Sequence, residues 1–172
     1  GDIDNRRKKA DKDAMQLGSK IHRKIQRQMG SNYHAEVSLK EEIMWDDISL
    51  LLEGRADGIF EEEEIWIDEI KGVYRDLTRL EEPINVHLAQ AKCYAYIYAK
   101  QQKLEMIGVQ MTYCQMETEE IKRFREIYSF EELKKWFTDL VQDYEKWVRF
   151  QVEWREKRNQ SIKDTEFPFS YR

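Results

Sequence analysis

The chain has 172 residues, 41% of them hydrophobic and 12% aromatic, which is enough for one domain with a buried core and excludes a disordered segment. Charged residues reach 37% for a net charge of −5, and with only two Pro and seven Gly this favours a helix-rich α+β fold over a turn-rich sandwich. Cys93 and Cys114 are too few and too far apart for a zinc knuckle, an iron-sulfur cluster or a disulfide scaffold, and no apolar run approaches the roughly 18 residues of a membrane span.

The start, GDIDNRRKKADKDAM, lacks the apolar centre of a signal peptide, so a soluble, cytoplasmic protein with no membrane partner is expected. Residues 1–30 hold nine Lys/Arg against four Asp, so the basic charge is concentrated at this end. Arg6, Arg7, Lys8, Lys9 and Lys12 read equally as contacts for a nucleic-acid backbone and as a solvated face. Ala14, Leu17, Ile21, Ile25 and Met29 recur at spacings of three and four and predict an amphipathic helix over 13–29, ended by Gly30 and lined by Lys20, Arg23, Lys24 and Arg27. In 33–41, Ala35, Val37 and Leu39 alternate with Glu36, Ser38 and Lys40 as a half-buried strand does.

Two short apolar runs then flank the glutamates 61–64 and predict a hairpin. Residues 84–102 have helical length and no internal Gly or Pro, with Pro83 at the entrance. Ile107, Val109, Met111 and Tyr113 alternate as a fourth strand, and helices are expected near 117–127 and over 130–158. On the last helix Leu133, Trp136, Phe137, Leu140, Tyr144, Trp147 and Trp154 are expected to pack as core. The predicted order is helix, three-stranded antiparallel meander, helix, fourth strand, then a helical extension.

The hairpin carries carboxylates where a half-buried strand prefers hydrophobes. Glu69 and Lys71 share one strand face with Ile65 and Ile67, while Asp68 points with Trp66 and Ile70. Asp57 opposes Glu69 if the pairing is centred on Glu63, which requires an odd-numbered turn or a bulge. Two adjacent carboxylates need a cation between them, and oxygen ligation without thiolate suits Mg²⁺ or Mn²⁺. Lys71 beside them could orient a water or offset phosphate charge, a combination suited to hydrolysing a nucleic-acid backbone. Cross-strand ion pairs on a solvated hairpin use the same residue types, so the triad alone leaves both readings open.

In this order "GRADGIF" and "IWIDEIKGV" resemble the PD-(D/E)XK nuclease superfamily, and specifically its RecB-like exonucleases. Those carry a first-helix His, a GxxD strand, a (D/E)xK strand and Gln-x-x-x-Tyr on the next helix; here these are His22, Asp57, Glu69 with Lys71, and Gln90 with Tyr94. The resemblance implies a restriction-endonuclease-like core over about 13–115, an extension over about 116–160, and His22, Asp57, Glu69 and the Ile70 carbonyl as ligands of Mg²⁺ or Mn²⁺. It implies that Asp57, Glu69 and Lys71 are catalytic and that Gln90 and Tyr94 contact DNA, with Arg23, Lys24 and Arg27 as further contacts. The four cysteines of cluster-bearing relatives are absent, and Ala56 stands where the superfamily name has proline. The ending "FPFSYR" resembles the entrance of DinG-type helicases, which implies that 161–172 link a single nuclease domain, 1–172, to a bacterial helicase. No GxxxxGK[ST] loop occurs. A non-catalytic docking module that retains the fold to bind nucleic acid or a helicase is the alternative.

Overall fold

A computed structural model describes residues 6–46 and 48–164, with side chains from 16 to 161 apart from residue 47. The elements are α1 (Arg6–Gln28), β1 (Tyr33–Met44), β2 (Ser49–Glu61), β3 (Ile65–Val73), a short 3₁₀ turn (Leu77–Arg79), α2 (Asn85–Gln102), β4 (Met106–Gln115), β5 (Ile121–Ser129) and α3 (Phe130–Asp164). The side chains of Arg6, Arg7, Lys8, Lys9 and Lys12, and the FPFSYR stretch, lie outside the described residues. The chain divides after Leu133 into two compact units.

The first unit is a five-stranded sheet in the order β1-β2-β3-β4-β5, antiparallel throughout except for the parallel pair β3 and β4, which α2 connects. A helix between parallel strands is what the crossover demands, since a tight turn can join only antiparallel neighbours. α2 presents Ala91, Ala95 and Ala99, all fully buried, so its backbone lies close to the sheet. On α1 the predicted apolar stripe buries Ile21 and Ile25 against Ile70 and Cys114, each isoleucine contributing about 2 kcal/mol of apolar burial. Successive strand residues point to opposite faces, and Ile70 meets α1 while Lys71 meets α2, so the two helices cover opposite faces of β3. This is an α+β, restriction-endonuclease-like arrangement.

The expected helix near 117–127 is instead the edge strand β5, paired with β4 from Met106↔Ser129 to Cys114↔Ile121. β4 is buried on both faces from Ile107 to Gln115, so its outer backbone edge must find hydrogen-bond partners within the protein. β5 supplies them, and its Lys122, Arg123, Arg125 and Glu126 keep the new edge charged.

The second unit is the remainder of α3. The helix is there as expected, but Leu140, Tyr144, Trp147 and Trp154 are 43–54% exposed rather than core. Tyr144 and Trp147 stack on each other with ring centroids 5.5 Å apart. Among the described residues no helix is long and apolar enough to cross a membrane.

Candidate active site

The β2–β3 hairpin closes on a three-residue turn, with pairs Glu61↔Ile65, Phe60↔Trp66, Ile59↔Ile67 and Gly58↔Asp68. That register is centred on Glu63, with the odd-numbered turn on which the opposition of Asp57 and Glu69 depends. The ladder stops at Gly58↔Asp68, however, and Glu69, Ile70 and Lys71 pair only with Met111, Thr112 and Tyr113 of β4. A cleft opens where β2 parts from β3. Asp57 stands at its apex, and its Oδ2 accepts the Ile70 N–H at 2.7 Å in place of the missing ladder bond.

Around this point the candidate residues converge. His22 of α1 places Nδ1 3.1 Å from Asp57 Oδ1, and a carboxylate partner makes that nitrogen the donor. The bond to Asp57 holds the His22 pKa above its ordinary value against the opposing effect of burial. Lys71 Nζ donates to Glu69 Oε1 at 2.7 Å and to Gln90 Oε1 at 3.0 Å, while Gln90 Nε2 donates to the Tyr94 hydroxyl at 3.1 Å. The i, i+4 spacing of Gln90 and Tyr94 thus serves one chain of bonds from α2 to β3. Gly54, the first residue of the GRAD stretch, makes room for it: a Cβ there would lie 2.5 Å from the Tyr94 ring.

Glu69 is 98% buried, and its Oε2 has no hydrogen-bond partner. Burial first, and the charge of Asp57 second, push its pKa up to about 7 despite the ammonium of Lys71. An orphaned carboxylate oxygen beside a second carboxylate and an imidazole, with no thiolate in reach, is a donor set that fits a hard divalent cation. As the side chains stand, His22 is bonded to Asp57 and Lys71 to Glu69, and among the described residues no three His, Cys, Asp or Glu form a ready metal cage.

Arg23, Lys24 and Arg27 are exposed on α1, where with Lys20 they line a shallow groove. Arg23 bonds the Ser19 carbonyl, and Lys24 is paired with Glu119. The structure does not bring these three into the bonded cluster around Asp57. His34 is exposed, whereas His87 sits 3.3 Å from the hydroxyl of Tyr113, the β4 partner of Lys71, and burial followed by the charge of Lys71 lowers its pKa.

Two groups of polar residues near the cleft escaped the sequence reading. Gln26 donates to the main-chain carbonyl of Asp57 at 2.8 Å, and its position one turn beyond His22 was the available signal. On the α1-facing side of β3, opposite to Glu69, fully buried Asp68 accepts from Tyr33, Gln110 and Thr112 at 2.9, 3.0 and 2.6 Å. Gln110 and Thr112 interrupting an apolar strand were the signal there.

A sequence model of the PD-(D/E)XK nuclease superfamily matches residues 3–165. The chain belongs to the PD-(D/E)XK nuclease superfamily. No curated protein matches the sequence. A solved structure described as "Crystal structure of SSO0001" is similar over 73% of this chain at 21% identity, with a TM-score of 0.47. The chain spans 58% of that structure's chain. Members of this superfamily are typically nucleases, and they generally use divalent metals.

Proposed function

We propose that this PD-(D/E)XK chain is a metal-dependent deoxyribonuclease of the RecB-like type, acting as an exonuclease on single strands or exposed ends during DNA repair or recombination. The observation that carries the reading is the buried, unpartnered Oε2 of Glu69 in a cleft shared with Asp57 and Lys71. Left without a cation, such an oxygen costs about 1–3 kcal/mol, a deficit that a binding site explains and a structural ion pair does not.

In this reading His22, Asp57, Glu69 and the Ile70 carbonyl hold Mg²⁺ or Mn²⁺. When bound, the cation supplies charge neutralisation at the scissile phosphate and acidifies a coordinated water. Lys71 uses two of its three N–H donors on Glu69 and Gln90, and directs the third at the attacking water or a phosphate oxygen. Gln90 and Tyr94 contact the strand near the cleft, and Arg23, Lys24 and Arg27 hold its backbone, so binding should weaken steeply with salt. The match over 3–165 supports treating the helical extension as part of one nuclease domain. The resemblance of the ending to DinG-type helicases supports a helicase as the partner in the same protein.

Cleavage of end-labelled single- and double-stranded DNA with Mn²⁺, Mg²⁺ or EDTA, comparing wild type with Asp57→Ala and Lys71→Ala, tests the proposal. Metal-dependent cutting lost in both variants is the expected result, and the product ladder gives direction. Binding of metal and DNA without cutting would move the chain to the docking-module class.

A further inference from the structure

Asp57 is the single residue of β2 with neither a β1 nor a β3 partner in the ladders. On the β1 side the register passes from Ala35↔Gly58 to Val37↔Ala56 with no pair between. The reason is Glu36, which takes a left-handed backbone with φ 60° inside a strand, a conformation that a non-glycine residue adopts only at a cost. On the β3 side the ladder has already ended at Gly58↔Asp68. The peptide at the apex of the cleft is therefore fixed by neither neighbour.

Side chains take over both roles. Asp57 Oδ2 accepts from the Ile70 amide at 2.7 Å, and the Asp57 carbonyl accepts from Gln26 Nε2 at 2.8 Å. The other hydrogen of the same amide goes to Glu36 Oε1 at 2.9 Å, and Glu36 Oε2 holds Arg55 Nε at 2.6 Å. Both partners of Gln26 are acceptors, so its NH₂ end must face them. Gln26 lies four residues after His22, which reaches the Asp57 carboxylate at 3.1 Å. Two successive turns of α1 thus grip one residue, one by its carbonyl and one by its side chain.

We propose that Gln26 is a positioning residue for Asp57: it supplies from α1 the hydrogen bond that the left-handed turn at Glu36 withdraws from the β1 ladder, and so fixes the carboxylate that holds Ile70 and His22. The part Asp57 plays in chemistry rests on the nuclease reading above, but its positioning can be measured without metal or DNA. The Ile70 N–H reports Asp57 Oδ2 directly.

Amide hydrogen exchange followed by NMR on the whole chain is the experiment. Gln26→Ala, and Gln26→Glu, which keeps the volume and removes the donor, should each speed exchange at Ile70 about tenfold, the worth of one lost hydrogen bond. Amides of the β3–β4 ladder should keep their wild-type rates, and Gln28→Ala, on the exposed side of the same helix, should change none. In the cleavage assay the two Gln26 variants should lower kcat about tenfold with KM within about twofold. Wild-type exchange at Ile70 in the folded variants overturns the assignment, as does a uniform rise across the sheet, which marks a purely structural role. A wild-type chain that cuts no DNA defeats the nuclease reading, and the Ile70 comparison then decides this one by itself.

Discussion

Asp68 and Glu69 are adjacent acids on one strand, both almost wholly buried, and they meet opposite fates. Asp68 faces the α1 side of β3, where Tyr33, Gln110 and Thr112 give it three donors and offset much of the burial that raises its pKa. The network continues from Gln110 to Arg125, which stacks over Trp66 and holds Glu62, so four strands and the β2–β3 turn contribute to it. Glu69 faces the α2 side with a single donor, Lys71, and one oxygen left bare. The satisfied acid ties strands together, and the unsatisfied one is the carboxylate proposed to hold the cation. Burial alone does not mark a functional carboxylate; the deficit in partners does.

Breaking each side of the pair should show the difference. Glu69→Ala should lower metal-dependent DNA cleavage on the order of a thousandfold while the chain stays folded, as measured by initial rates at saturating Mn²⁺ together with circular dichroism. Asp68→Ala should do the reverse. It strands three buried donors and should cost about 3–4 kcal/mol in urea denaturation, with cleavage per folded molecule within about threefold of wild type. Equal losses of activity from both substitutions would mean that the two faces are not separable.

The same contrast governs what could be read in the sequence. The hairpin was legible from two short apolar runs flanking the glutamates 61–64, but its register only as conditional on an odd-numbered turn, which residues 62–64 provide. His22, Asp57, Glu69, Lys71, Gln90 and Tyr94 were legible as a set because each has a fixed spacing within its own element, and the structure joins them in two bonded groups, His22 with Asp57 and Glu69 through Lys71 and Gln90 to Tyr94, which meet at the Ile70 main chain. The Asp68 network was not, since it depends on the parallel pairing Asp68↔Gln110 across a helical crossover, which no local pattern specifies. β5 was misread because Ile121, Phe124 and Ile127 recur at three, a helical spacing, whereas the need of β4 for an outer partner is a tertiary fact. On α3 the helix was evident and its exposure was not: an apolar stripe fixes which side of a helix seeks a partner, not whether this chain contains one.

A subtler measurement sharpens the comparison through pH. Glu69 has a folded pKa of about 7, above the ordinary 4.5, so its neutral form is favoured by folding. Its contribution is fully present below pH 4.5 and lost as pH rises through 7. Metal-free wild type should therefore lose about 2 kcal/mol from this group between pH 5 and pH 8. Glu69→Gln should lack that slope and melt several degrees higher than wild type at pH 8, the two converging near pH 5 in calorimetric scans. Mn²⁺ should raise the melting temperature of wild type at pH 8 and leave Glu69→Gln nearly unchanged. A metal-free wild type whose stability is flat over this range would show that Glu69 is ionised at little cost, and the contrast with Asp68 would lose its basis.

The smallest effect belongs to Tyr33→Phe. The Tyr33 ring stacks on Phe60 at 5.9 Å and lies over Gly58, where a Cβ would come within 1.9 Å of its hydroxyl, so phenylalanine keeps the packing and loses only the bond to Asp68. Burial and the charge of Asp68 hold the phenol protonated throughout the working pH range, so the hydroxyl is a donor in every assay. Its removal should cost about 1 kcal/mol in urea denaturation, because Gln110 and Thr112 still serve the other oxygen. Cleavage should not change. A fall in cleavage larger than the fall in stability would mean that the donors of Asp68 also set the aim of Glu69, one residue along the same strand, and the satisfied face would then belong to the active site as well as to the fold.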